Sequence, residues 1–348
     1  MDTIELRPGY RISRLIKGGW QLAGDHGEVE PERAIADMGA FVEAGITTFD
    51  CADIYTGVEA LIGSFLARHR DKRGADAAAA IKVHTKLVPD IDALPKVDRA
   101  YIERIVDRSR ARLGVERLDL VQLHWWDYDV PGCSEALRQL AALQQAGKID
   151  RIGTTNFDLK HLQELRETGV DIVSVQAQYS LLDTRPAGAF AKWCRANRVA
   201  ILAYGALAGG FLTDAWLGRP DPGHDFANRS LVKYRLIIDE AGGWNLFQAL
   251  LATLRQVADR HGVTIANVAV RAMLDNPDVG AVILGARYAH HLPQNLKALS
   301  FRMDEEDRAR LDAVLSQRQG PSGPVYGLER DRSGRHGRIM KYRLNTAS

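Results

Sequence analysis

The chain has 348 residues, 46% of them hydrophobic and 26% charged, the balance of an ordinary globular protein. That length admits two modest domains or one large α/β barrel, which takes about 250 residues plus insertions. Lys and Arg number 46 against 44 Asp and Glu, so the net charge of +2 carries no overall footprint for nucleic acid.

A local exception is the basic run "RDRSGRHGRIMKYR", Arg330 to Arg343, whose ordinary reading is a solvated terminal segment. Cys51, Cys133 and Cys194 are an odd number at wide spacing, which argues against a disulfide framework and for a reducing compartment. "MDTIELRPGY" lacks the apolar segment of a signal peptide. The longest nearly apolar run, "VAILAYGALAGGFL" from Val199, has 14 residues, short of the roughly 20 a membrane span requires. A cytoplasmic protein without membrane or nucleic-acid partners is expected.

In chain order, "TIELRPGYRIS" predicts a hairpin turning at Pro8-Gly9. "RLIKGGW" then begins a series of apolar or β-branched runs, continued by "TTFD", "AAIKVHT", "LDLVQLH", "IDRIGTT", "DIVSVQAQ", "VAILAYG" and "GAVILGA". Stretches of helical period lie between them, at Pro31–Ala44, Asp98–Leu113, Ser134–Ala146, Leu159–Thr168 and Trp244–His261. Pro31 suits a first helical turn, and Gly114 and Gly147 suit left-handed stops. "TGVE", Thr56 to Glu59, reads as a capping box. Gly209 to Gly243 reads as a long Gly/Pro-containing loop after the seventh strand, and after Gln317 the chain becomes an arm beginning near "GPSGPVYG". Eight alternating units predict a (β/α)8 TIM barrel over residues 1–317, with residues 318–348 as an arm rather than an independent domain. The absence of G-x-G-x-x-G after the first strand weighs against a Rossmann domain. The arm offers a route to an oligomer.

Catalytic groups of such barrels sit where strands end. Here those positions hold Asp50 and Tyr55 after the second strand, Lys86 after the third and His124 after the fourth. Each has a plain alternative: a strand-ending Asp, a packing Tyr, a loop Lys, a core His. Together they make a coherent set. A Lys ammonium stabilises a phenolate, an Asp keeps that Lys charged when buried, and a His orients a carbonyl oxygen or relays the proton. No His-x-His follows the first strand and no H-E-x-x-H occurs, so a metal-dependent hydrolase is discounted and no metal site is assigned.

"FDCADIY", "HTK", "LDLVQLH", "GKIDRIGTTNF", "VQAQYS", "AYGALAGGFL" and "VILGARYAHHLPQNLKAL" together resemble the aldo-keto reductase family over roughly Ile12 to Leu299. The resemblance implies a tetrad of Asp50, Tyr55, Lys86 and His124, with Tyr55 as general acid/base. It implies NADP(H), with NAD(H) as the second candidate. Thr155, Asn156 and Gln176 would hold the nicotinamide carboxamide, and Tyr204 would stack on its ring. Gly19 and Trp20, with Gly205, Ala206, Leu207 and Gly209, would line the dinucleotide. Gly285, Arg287, His291, Gln294 and Asn295 would hold the adenosine end. Gly285-Ala286 stands where many members carry Lys-Ser, and His291 where Arg is frequent; Arg287 remains the partner for a 2′-phosphate. Trp20, Trp125 and Trp126 are candidate walls for a small carbonyl or alcohol substrate. The expected activity is NADP(H)-dependent interconversion of an aldehyde or ketone and its alcohol. The alternative is a reductase-like, nucleotide-binding regulatory subunit with little turnover.

Overall fold

The structure is a computed structural model that describes residues 2–23 and 27–345. An antiparallel hairpin, β1 (Thr3–Arg7) and β2 (Tyr10–Ser13), precedes eight parallel strands. These are β3 (Leu15–Gly18), β4 (Thr48–Asp50), β5 (Lys82–Leu87), β6 (Leu118–Leu123), β7 (Ile149–Thr155), β8 (Ile172–Gln178), β9 (Ala200–Tyr204) and β10 (Val279–Gly285). They pair in sequence order, and β10 returns to β3 to close a barrel. All eight predicted strands are present and the fold is the (β/α)8 TIM barrel. Strands sealed inside and covered outside by helices lose the alternation of a half-exposed sheet, which is why they read as unbroken apolar runs. β8, for example, is buried at every position.

The hairpin seals the amino-terminal end. Leu6, Tyr10 and Ile12 pack there with Ile16, Leu120, Leu202 and Ala281 from the barrel. Ser13 and Thr48 then join hairpin to barrel through reciprocal backbone-to-hydroxyl bonds of 3.0 and 3.2 Å. The opposite end, where the strands finish, is left to the loops.

Three sequence expectations are corrected. Thr56–Glu59 is not a capping box: the helix Val58–Arg73 starts from Gly57 at φ 79°, with no side-chain cap. Glu59 turns inward instead, where it accepts from the Thr85 hydroxyl at 2.6 Å and meets Arg112 at 3.4 Å. Those partners compete successfully for a carboxylate that a cap would have left in solvent. The segment after β9 is not loop throughout, because residues Arg229–Ala241 form a helix capped by the Asn228 side chain. Its buried Tyr234, Ile237, Ile238 and Ala241 fall at helical spacing, a signal masked by the Gly/Pro-rich stretch before it.

The third correction concerns the basic tail, which is not a solvated segment. It folds across the barrel mouth; the last three residues of the expected arm lie outside the described residues. Glu329 is buried and grips Arg185 through two bonds of 2.8 and 3.0 Å, while Arg185 also bonds Asp183. Arg330 donates to the carbonyls of Trp125, Trp126 and Asn156 and to the Tyr128 hydroxyl. Tyr342 packs on Trp126 with ring centroids 5.0 Å apart, and its carbonyl accepts from the Ile91 N–H. The backbone N–H groups of Leu344 and Asn345 both reach Asp90 at 2.8 Å. A chain of guanidinium, carbonyl and carboxylate bonds is the reason a cationic tail settles here: barrel strands end in unpaired carbonyls, and arginine has five donors.

Breaking one side of the Arg185–Glu329 pair leaves a buried charge underpaired. Glu329→Gln is expected to destabilise the fold by about 3 kcal/mol, the lower end for a split buried pair because Asp183 still holds Arg185. Denaturant unfolding checks this; an unchanged midpoint would show that the arm is not anchored through this pair.

Candidate active site

The short strand β4 delivers Asp50 and then turns through "CADIY" to Tyr55. The Gly19 N–H bonds the Asp50 carbonyl at 2.8 Å, and a Cβ at Gly19 would lie 2.8 Å from that oxygen and from Val58. Only glycine permits that approach. Lys86, near the end of β5, donates to Asp50 Oδ2 at 2.7 Å and to the Cys51 carbonyl at 2.8 Å. Asp50 Oδ1 takes amide donors from Gln176 at 2.6 Å and Gln122 at 3.2 Å. The pair is 5% exposed on both sides, a dry carboxylate and a dry ammonium hydrogen-bonded to one another, with further partners on each. Burial alone would depress the Lys86 ammonium; the facing Asp50, together with Tyr55 and Cys51, outweighs it and the pKa is raised.

Tyr55 is half-buried, its ring 5.0 Å from that of Trp20 and its centroid 5.1 Å from the Lys86 ammonium. Burial raises its pKa and Lys86 opposes, with burial prevailing. Tyr55 is therefore a neutral phenol at neutral pH, a proton donor beside a fixed cation. His124 is buried, and its Nδ1 lies 3.2 Å from the Thr155 carbonyl. A carbonyl only accepts, so the proton of the neutral ring sits on Nδ1. Nε2 is then a bare acceptor, and it has no partner among the described residues. Burial first, then the nearby Arg330, lowers the His124 pKa to about 3, which keeps the ring neutral at neutral pH, while the Thr155 carbonyl selects the tautomer. The ring is fixed edge-on against Trp126 at 4.3 Å and Tyr326 at 5.8 Å. An acceptor nitrogen can bind a substrate hydroxyl but not a carbonyl oxygen, which narrows the role expected for this residue.

The groups read as cofactor-binding show an instructive division. Gln176 spends its amide N–H on Asp50, leaving its Oε1 as an acceptor. Asn156, at φ 64°, has its Oδ1 on the Tyr204 hydroxyl at 2.8 Å and leaves its amide N–H₂ as a donor. One donor and one acceptor side by side match a carboxamide, so these residues fit a nicotinamide. Thr155 is buried next to them and Tyr204 is half-buried. Gly205 and Gly209 carry positive φ, and a Cβ on either would strike the Tyr234 ring; Ala206 and Leu207 lie on the turn between them. At the end of β10, Gly285 leaves room for Gln21, whose amide would be 2.2 Å from a Cβ there. Arg287 is half-buried on the following loop, its guanidinium 5.2 Å from the Tyr288 ring. His291 is exposed, its ring tilted against that of His290 with centroids 3.7 Å apart, and lowered in pKa by burial and by that neighbour. Gln294 bonds Thr264 and Asn267 at the start of a helix, so its N–H₂ serves the fold; Asn295 is half-buried beside it.

Trp20 and Trp126 border Tyr55 and His124. Trp125 does not: it is fully enclosed with its indole N–H on the Val130 carbonyl, so it belongs to the core and not to a pocket wall. Gln122, Lys233, Tyr326 and Arg330 also meet at the mouth and carried no sequence signal of their own. For Gln122, the position two residues before His124 on one strand face was the available clue. Among the described residues no cluster of His, Cys, Asp and Glu suits a metal, and no helix is long and apolar enough to cross a membrane.

With that geometry in hand, the comparisons are decisive on class. The family model of the aldo/keto reductase family matches residues 14–316, and the chain belongs to that family. Aldo-keto reductase YhdN of Bacillus subtilis is 25% identical over 326 residues, covering 91% of this chain and 95% of that protein. Flagellar radial spoke protein 5 of Chlamydomonas reinhardtii is 32% identical over 260 residues, 64% of this chain; the match spans 49% of that protein's length. In structure, a glycerol dehydrogenase from Gluconobacter oxydans superposes with a TM-score of 0.77 at 24% identity, covering 93% of this chain and 98% of its own. The protein is thus an oxidoreductase of a family whose members use nicotinamide cofactors.

Asp53, between Asp50 and Tyr55, is fully buried and accepts from Val88 N–H at 3.2 Å and the Asn345 amide at 3.0 Å. Burial raises its pKa from 3.8 to about 7, against the pull of those donors. A raised carboxyl binds more protons folded than unfolded, so its stabilising contribution is full below pH 3.8 and drains away as pH rises to about 7. Unfolding free energies of wild type and Asp53→Asn across pH 4 to 8 should show wild type losing ground to the variant as pH rises. A pH-independent difference would contradict the burial of an ionisable group here.

Proposed function

We propose that this enzyme interconverts an aldehyde or ketone and its alcohol with NADP(H), Tyr55 acting as general acid and base. The observation that carries the reading is the Lys86–Asp50 pair at 2.7 Å, set under the Tyr55 ring and beside the unpartnered His124 Nε2. When bound, the nicotinamide supplies or takes up the hydride. Asn156 and Gln176, with Thr155, would hold its carboxamide, and Tyr204 would support its ring. In reduction, Tyr55 gives its proton to the substrate oxygen while Lys86 stabilises the phenolate left behind. Asp50 keeps Lys86 charged. In the oxidising direction the phenolate takes the single hydroxyl proton of the alcohol, a proton that His124 Nε2 can accept only as a hydrogen bond before the hydroxyl turns to Tyr55. Trp20 and Trp126 form the substrate side, keeping water from the reacting centre.

Residues 1–317 are read as one barrel unit and 318–348 as an arm belonging to it. A small carbonyl or alcohol is the partner, and the free thiols of Cys51, Cys133 and Cys194 suit a cytoplasmic setting. NADP(H) is preferred over NAD(H) on the strength of Arg287, with His291 mostly neutral at pH 7.

Tyr55→Phe keeps the ring against Trp20 and removes one hydroxyl. Turnover should fall on the order of 10²–10⁴ with NADPH affinity retained. Near-normal carbonyl reduction by this variant would remove Tyr55 from the role.

Arg287→Ala should weaken NADPH binding by about 1–3 kcal/mol, the range for a charge-assisted hydrogen bond, and leave NADH almost untouched. Fluorescence titration with both cofactors checks this, and equal weakening would mean that Arg287 does not read the 2′-phosphate.

A further inference from the structure

The helix Arg229–Ala241 projects Lys233 into the mouth, where its ammonium lies 5.1 Å from the Tyr204 ring centroid and 5.6 Å from those of both Tyr234 and Tyr326. Three aromatic faces surround a half-buried cation. Among the described residues the ammonium makes no hydrogen bond or ion pair, and neither do the hydroxyls of Tyr234 and Tyr326. Those two side chains are 8% and 4% exposed, so they are polar groups held in an otherwise closed wall.

The charges around Lys233 do not cancel. Arg185 is consumed by Asp183 and Glu329, bonding both. Arg330 is spent on three carbonyls and the Tyr128 hydroxyl. Two carboxylates thus face three cations, and the surplus positive charge is the one without a hydrogen-bond partner. Burial lowers the Lys233 pKa while Glu329 opposes, so the ammonium is destabilised where it sits. Tyr326, one wall of the cage, stands edge-on to His124, which puts this surplus charge one aromatic ring away from the reacting centre.

We propose that Lys233 and the phenol hydroxyls of Tyr326 and Tyr234 form a subsite for an anionic group, a carboxylate or phosphate, carried by the substrate. The inference rests on the carbonyl-reduction reading and narrows its substrate class to aldehydes or ketones that bear a negative charge away from the carbonyl. A carboxylate oxygen accepts from the ammonium and from a phenol at once, satisfying donors that the described residues leave open. The cofactor's own phosphates have the same chemistry, so the test separates the two sources.

Two aldehydes of near-equal size, 4-carboxybenzaldehyde and 4-nitrobenzaldehyde, differ chiefly in charge. Wild type with NADPH should favour the carboxylate in kcat/KM, and Lys233→Met should lower that preference roughly tenfold to a hundredfold, mainly through KM. Lys233→Arg should restore part of it, and NADPH affinity should be the same in all three proteins. An unchanged preference in Lys233→Met overturns the subsite, as does a weakened NADPH affinity with the preference intact, which would assign the ammonium to the cofactor. Calorimetric titration of wild type with 4-carboxybenzyl and 4-nitrobenzyl alcohol decides the matter without turnover or a variant: equal affinities overturn the proposal. Reduction of both aldehydes without preference for the charged one removes the subsite and leaves the carbonyl-reduction reading standing. Tighter binding of the charged alcohol, lost in Lys233→Met, supports the subsite even if neither aldehyde is reduced, and only the redox reading then fails.

Discussion

One buried ion pair organises the mouth of this barrel: Lys86 on Asp50. Moving two charges out of water costs several kcal/mol per ion, and the attraction between them offsets that only when their remaining hydrogen-bonding capacity is also met. Here it is met by groups from separate strands. Asp50 comes from β4 and Lys86 from β5, while Gln122 on β6 and Gln176 on β8 fill the second carboxylate oxygen. The pair thus ties together four strands at the end where chemistry occurs. The positions of Tyr55, Gln176 and the carboxamide groups follow from it, and so does the permanence of the positive charge under the phenol.

The arm solves a second electrostatic problem at the same end. Parallel strands finish in carbonyl groups that have no further strand partner, and a barrel mouth closed by apolar side chains would leave them unsatisfied. Arg330 donates to three carbonyls just beyond the strand ends, those of Trp125 and Trp126 after β6 and of Asn156 after β7, and Glu329 is then brought in to meet Arg185. The guanidinium that holds the arm also stands near His124 and helps to keep it neutral. The side chain that closes the mouth therefore also adds, after burial, to what keeps His124 neutral.

How much of this was readable from sequence depends on range. The strands were legible because double-sided burial writes continuous apolar runs, and β7, Ile149–Thr155, matches its predicted stretch residue for residue. The clustering of Asp50, Tyr55, Lys86 and His124 was legible because three consecutive strand ends carried chemically matched groups. Thr56–Glu59 misled for the opposite reason: a local motif was satisfied on paper, but Thr85 and Arg112, distant in sequence, offered Glu59 a better environment. Trp125 and Trp126 are adjacent and identical in type, yet one is core and the other borders the site, a distinction made only by the turn of the backbone between them. Lys233, Tyr326 and Arg330 were illegible because nothing local says where a terminal arm or an inserted helix will come to rest.

Tyr55 and His124 are pushed in opposite directions, which would divide the labour between them in the proposed reaction. Enclosure raises the Tyr55 pKa and lowers that of His124, because burial disfavours the charged form of each. For the phenol that means retention of its proton; for the imidazole it means loss of one. The Thr155 carbonyl then fixes the remaining imidazole proton on the far nitrogen, so Tyr55 can donate at neutral pH and His124 Nε2 cannot. Lys86 works against the enclosure on Tyr55 alone, lowering the cost of the phenolate without making it the resting state. Burial keeps the proton on the phenol at rest, and the fixed ammonium limits the cost of the phenolate that forms when the proton is passed on.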